Sequence, residues 1–306
     1  MGNFLAADEA GGRAWLRIAC HDRRVLAVLL SLIASTAWGV ADFFGGLFSR
    51  RLPAMSVLLV IEVGGLLAAG TIVVVSGDAF PDARHAIIGL AAGLAGVTGL
   101  ALFYTALSIG TMSIVAPLSA TGAIVPVVVG VTTGDRLTTL VSTGLALVLL
   151  GVILAGREAD DPERAASASD RRAILLALGA ALGFGTFFVA YDTAADASLG
   201  WAILLARLPA IPLVGLVVWR RGLSLPRGPD LVRLVGVAQL DTIATSLYAV
   251  AITRGALSVV AVVGSLYPVA TVLLARAVLG ERLRRVQAAG VITALLGVIL
   301  VSVGSR

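Results

Sequence analysis

The chain of 306 residues contains no lysine, two histidines and a single cysteine, and charged side chains make up only 13% of it. Each scarcity excludes something. A phosphate-cradling loop of the Walker type needs a lysine, so ATP drive within this chain is ruled out. Cys20 alone forms neither an internal disulfide nor a thiolate cluster for a metal. His21 and His85 both fall outside the apolar segments, which argues against an embedded Ser-His pair or a His-ligated metal. No cofactor is expected. A soluble domain carries about a quarter charged residues, so about half the surface charge that water requires is missing.

Apolar side chains take its place. They make up 58% of the chain, and the mean hydropathy is +1.01. Lipid is therefore the expected solvent. A formal charge of +5 does not point to nucleic acid, because the arginines sit at the ends of apolar runs, where they suit interfaces and loops.

Ten apolar segments of about 20 residues follow one another, each enough to cross about 30 Å of hydrocarbon as a helix. A lipid-exposed strand edge would leave its amides unpaired, so an all-α integral membrane protein of ten transmembrane helices is expected. Residues 1–24 read as a tail, poorly ordered or lying at the interface. The first five helices occupy 25–156, a charged linker 157–171, and the last five 172–304.

The two halves repeat at an offset of 146 residues. Gly39 falls on Gly185, Ser119 on Ser265, and Asp135-Arg136-Leu137 on Glu281-Arg282-Leu283. The block Leu149 to Leu154 recurs intact as Leu295 to Leu300. Five spans is an odd number, so the second unit enters the membrane from the opposite side, and the two five-helix repeats are expected to be inverted. Gly-Asp-Arg-Leu at 134–137, Gly-Glu-Arg-Leu at 280–283 and the pair Trp38-Gly39 resemble EamA-type domains of the drug/metabolite transporter superfamily. The resemblance covers about 25–304. It implies a ten-helix transporter with a central cavity, exporting or exchanging a small metabolite, in the plasma (inner) membrane with both termini cytoplasmic. The first half departs from the pattern, with Asp135 in place of the usual Glu and Pro126 four residues later than the position matching Pro268.

Charge does not settle the orientation. Arg13, Arg17, Arg23, Arg24, Arg84 and Arg136 lie on the starting side of the first half. Arg171, Arg172, Arg220, Arg221, Arg227, Arg233, Arg282, Arg284 and Arg285 lie on the starting side of the second. Each half asks for its own N-terminus inside, and five spans forbid both.

An ionisable group at mid-membrane costs at least about 2.5–3.5 kcal/mol, so each needs a reason. Glu62 and Arg207 fall near equivalent repeat positions, separated by about 8–10 Å of depth. A zwitterionic, amino-acid-like substrate would suit that gap, its ammonium on Glu62 and its carboxylate on Arg207; a structural ion pair is the plain alternative. Tyr248 is a further substrate-binding candidate. Asp241 has no charged equivalent in the other half and is the first candidate for proton coupling, with Asp42 second. Gly89, Gly93, Gly96 and Gly99 form a strip for close helix approach. Asp135 and Glu281 read as caps or anchors at span boundaries.

The expected partners are the bilayer, a small-molecule substrate and protons, with the chain a monomer or a homodimer. A polar channel and a non-transport membrane protein are the rival readings. An enzyme is disfavoured: Asp192 and Asp196 have the spacing of a metal-diphosphate site but lack a convergent acidic loop.

Overall fold

A computed structural model describes residues 2–110, 112–135, 137–155, 168–279 and 285–304. Its ordered elements are all helical among these residues. Eight helical segments are long and apolar enough to cross a membrane. In chain order they are α1 (Arg23–Ser49), α2 (Ala54–Ser76), α3 (Ala83–Ile109), α4 (Val115–Thr133), then α6 (Arg171–Ala195), α7 (Leu199–Arg220), α8 (Gly228–Ile252) and α9 (Leu257–Val278). Two further helices, α5 (Thr139–Ala155) and α10 (Arg285–Gly304), bring the count to ten. Their apolar stretches are shorter, Thr139–Leu154 and Ala288–Val301. Helical backbone already begins at Gly2 and runs without a break into α1, where the sequence suggested a tail. The Gly-Glu-Arg-Leu motif and most of the linker lie outside the described residues.

The outer surface explains the missing charge. Leu67, Val74, Val75, Leu175 and Val232 are each more than two-thirds exposed and point away from the bundle. Such a band is unstable in water and suited to acyl chains. Inside, the contacts rely on small residues. A Cβ on Gly93 would stand 2.4 Å from the Ala206 carbonyl oxygen, while Gly96 and Gly99 admit the rings of Phe187 and Phe184. The glycine strip thus seats α3 against α6 and α7.

Pairs of contacts recur between the halves. A Cβ on Gly39 would meet the Tyr267 oxygen at 2.3 Å, and one on its repeat counterpart Gly185 would meet the Gly122 oxygen at 2.5 Å. Between α5 and α10, Gly144 lies against Gly297 and Gly151 against Gly290. One index rises as the other falls, so these two helices cross antiparallel.

Three spans are interrupted near their middles. α4 contains a 3-10 turn at Thr121–Ala123, α7 breaks after Arg207, and α9 breaks after Gly264. In each case proline opens the following segment: Pro126, Pro209 and Pro268 stand at or near its first residues. Lacking an N–H, proline is tolerated there and not in a helix interior. Asp135 takes the anchoring role its position suggested. Its Oδ2 accepts from the Ser258 N–H at 3.1 Å and from the Ser258 hydroxyl at 2.6 Å, tying the end of α4 to the first turn of α9.

Candidate functional site

The breaks and close crossings leave a cavity of about 100 Å³ deep in the bundle. Both halves line it. The first contributes Trp38 and Asp42 from α1, Glu62 from α2 and Gly96 from α3; the second contributes Phe184, Phe187 and Phe188 from α6, Arg207 from α7, Asp241 and Thr245 from α8, and Tyr267 from α9.

Arg207 is the centre of its polar side. The guanidinium Nη1 donates to Glu62 Oε2 at 3.3 Å, and Nη2 donates to Asp241 Oδ2 and, at 3.4 Å, to the Thr245 hydroxyl. Arg207 and Glu62 are only 6% and 5% exposed. The gap read from span depths is therefore closed: the two side chains meet directly. The depth count treated α2 and α7 as straight, whereas α7 breaks immediately after Arg207, and the reach of the arginine side chain covers the rest of the gap. That break also leaves Arg207 in the last turn of a half-helix, where unpaired carbonyls favour a cation. Asp241 likewise has a charged mate, Arg207 of its own half, brought to it by the packing of α7 on α8 and not by the repeat register.

Glycine makes room for this cluster. A Cβ on Gly65 would fall 2.8 Å from Arg207 Nη1 and 2.9 Å from Cζ, so a side chain there would have to push the guanidinium from the position in which Glu62 and Asp241 hold it. On α8, Thr245 donates to the Asp241 carbonyl at 2.9 Å and accepts from the Trp38 indole at 3.4 Å. One hydroxyl thereby joins α1, α7 and α8.

Asp42 is different. Its side chain is 7% exposed, lines the cavity and has no hydrogen bond or ion pair among the described residues. Tyr248 is not part of the lining. It stands behind Trp38, ring centroids 5.1 Å apart, and its buried hydroxyl has no hydrogen-bond partner among the described residues. Gln239, another polar residue of α8, donates to the Gly64 carbonyl at 3.4 Å and serves helix contact. The aromatic wall on α6 and the Thr245 link were not singled out from sequence. The spacing of Phe184, Phe187 and Phe188, three and four apart, places them on one face and was the available signal.

At one end of the bundle a connection is fastened beside α7. The Ser198 hydroxyl donates to Asp78 Oδ2 at 2.8 Å, and the Trp201 indole donates to the Asp78 carbonyl at 3.0 Å. Phe80 meets the Trp201 ring edge-on at 4.8 Å. The α2–α3 connection is thus fastened to the start of α7.

Comparison with known proteins places the second half. Residues 171–303 match the EamA-like transporter family. The second half is an EamA-like domain. It supplies Arg207, Asp241, Thr245, Tyr267 and the phenylalanine wall, so most of the cavity's polar cluster belongs to the matched region. An uncharacterized protein of Methanocaldococcus jannaschii is 27% identical over 129 residues, covering 42% of this chain and 94% of that one. That relative is therefore close to one EamA-like domain in length. A solved crystal structure of a protein superposes with a TM-score of 0.75 at 16% identity, covering 91% of this chain and 98% of the other. This likeness covers the ten-helix fold as a whole, beyond the EamA-like domain.

Proposed function

We propose that this EamA-type membrane protein is a secondary transporter that moves a small organic solute by alternating access between two inverted five-helix repeats. The observation that carries the reading is the buried ion cluster of Arg207, Glu62 and Asp241 beside a cavity to which both halves contribute. Charges of this kind at membrane depth are costly and are kept where a solute or ion must pass. Support for inversion comes from the antiparallel α5–α10 crossing and from the matched approaches at Gly39 and Gly185. A pseudo-two-fold relation of this kind lets the two halves exchange conformations and open the site to either side in turn.

Within this reading Asp241 takes and releases the coupling proton. Gaining a proton weakens its bond to Arg207, while Glu62 keeps the guanidinium in place. The test is reconstitution into liposomes with a panel of small solutes, with and without a pH gradient. Saturable uptake that shows counterflow is expected; unsaturable flux without counterflow would favour a channel. Asp241→Asn is expected to keep counterflow exchange and lose gradient-driven accumulation.

A further inference from the structure

The charges in the cavity do not balance. Asp42, Glu62 and Asp241 face a single guanidinium, Arg207, so with every group ionised the site is short of positive charge by two. Three of the five N–H groups of Arg207 already go to Glu62, Asp241 and Thr245, and its single charge is shared by two protein carboxylates. One face of the guanidinium also lies against α2 at Gly65. A carboxylate on the cargo would add a further negative charge to a guanidinium that two protein carboxylates already face. The zwitterion expected from sequence therefore lacks a cationic partner whose charge is not already balanced. An anion fares worse.

A cation finds both of its partners in place. Asp42 is buried, unpaired among the described residues and directed into the cavity. Trp38 lies one helical turn before it on the same face of α1, and Phe184, Phe187, Phe188 and Tyr267 complete an aromatic lining. Ring faces attract a cation through their quadrupoles, most strongly where water is excluded, and substituted ammonium groups are the ligands such boxes hold best. An unpaired buried carboxylate adds a direct counter-charge, and leaving it without one is costly. The cavity, of about 100 Å³, suits a compact cationic head group.

We infer that the cargo of this cavity is a small organic cation, a substituted ammonium whose charge rests on Asp42 and whose alkyl groups face the aromatic lining. The inference builds on the transporter reading and names its substrate class. It assigns Asp42 to cargo, leaving the ion cluster around Arg207 to hold the halves together and couple their motion.

The test uses the purified full-length protein in detergent and a matched series of ligands. Choline is the cationic probe. Its carbon isostere, in which tert-butyl replaces trimethylammonium, has the same shape without charge. Glycine betaine has the same head with an added carboxylate. Calorimetric titration is expected to rank choline at least about tenfold tighter than either of the others. Asp42→Asn is expected to remove that advantage, and Asp42→Glu to restore part of it, with circular dichroism melting confirming that each variant is folded. Equal binding of choline and its neutral isostere would overturn the inference, as would tightest binding of betaine. Unchanged choline affinity in folded Asp42→Asn would overturn the assignment to Asp42. If Asp42→Asn does not fold, the ligand series on the unaltered protein still decides the charge class. The two readings also fail separately. Saturable counterflow of a zwitterion or anion, without choline binding, leaves the transporter and removes the cation. Choline binding without any saturable movement across liposomes does the reverse.

Discussion

Arg207 of α7 donates to Glu62 of α2 at 3.3 Å, joining the two halves of the chain through a bond between groups that are both almost fully buried. The bond also constrains what either residue can do for a solute, because Asp241 holds the other arm of the same guanidinium. Removing the arginine alone leaves two buried carboxylates without a counter-charge. Arg207→Met is therefore expected to destabilise the protein by about 3–5 kcal/mol, read by denaturant titration in micelles. Neutralising the partners as well, in the triple variant with Glu62→Gln and Asp241→Asn, should recover much of that loss. A single variant as stable as the parent would mean the cluster contributes nothing to holding the halves together.

The same cluster shows what sequence could and could not convey. The ten apolar segments are legible because the bilayer imposes length and composition on every span. The buried ionisable residues are legible for the same reason: they violate that composition. Their mutual geometry is not. Depth counted from span ends assumes straight helices, and α7 breaks after Arg207, while Asp241 finds its partner through tertiary contact and not through the repeat register. Tyr248, the tyrosine singled out from sequence, does not line the cavity, because Trp38 and Phe188 cover its ring, whereas Tyr267 does. Periodicity within one helix carries no information about which neighbour covers a side chain.

The fastening at Asp78 predicts a gate. Two hydrogen bonds and one ring contact join the α2–α3 connection to the start of α7, and net values of about 0.5–1.5 kcal/mol per hydrogen bond make this enough to bias an opening without forbidding it. Asp78→Ala combined with Trp201→Phe should raise the population open on that side several-fold. The measurement is the labelling rate of Leu100→Cys, a position lining the cavity, by a membrane-impermeant thiol reagent in a Cys20→Ser background. An unchanged rate from both sides of the membrane would show that the contact gates nothing.

Asp135 ties the end of α4, in the first half, to the first turn of α9, in the second, through the Ser258 amide and hydroxyl. Both bonds satisfy groups at a helix start, so Asp135→Ala should cost about 1–2 kcal/mol. Asp135→Asn, which keeps an oxygen acceptor, should cost less. Thermal unfolding in detergent separates the two, and equal melting of both variants with the parent would exclude the anchoring role.

The α5–α10 crossing gives the sharpest packing test. A Cβ on Gly151 would lie 2.3 Å from the Ala294 nitrogen and 2.6 Å from the Gly290 oxygen, both backbone atoms that cannot rotate away. Even alanine must push the helices apart, and overpacking of this kind costs about 1–3 kcal/mol. Gly151→Ala and Gly297→Ala are each expected to lower the melting temperature, since a Cβ on Gly297 meets the Gly144 oxygen at 2.6 Å. Gly215→Ala is the control. Its Cβ would meet nothing within 4 Å, and alanine favours helix over glycine, so no loss is expected there. If the three variants melt alike, the two helices do not cross at these glycines, and the antiparallel contact that supports inversion of the repeats loses its basis.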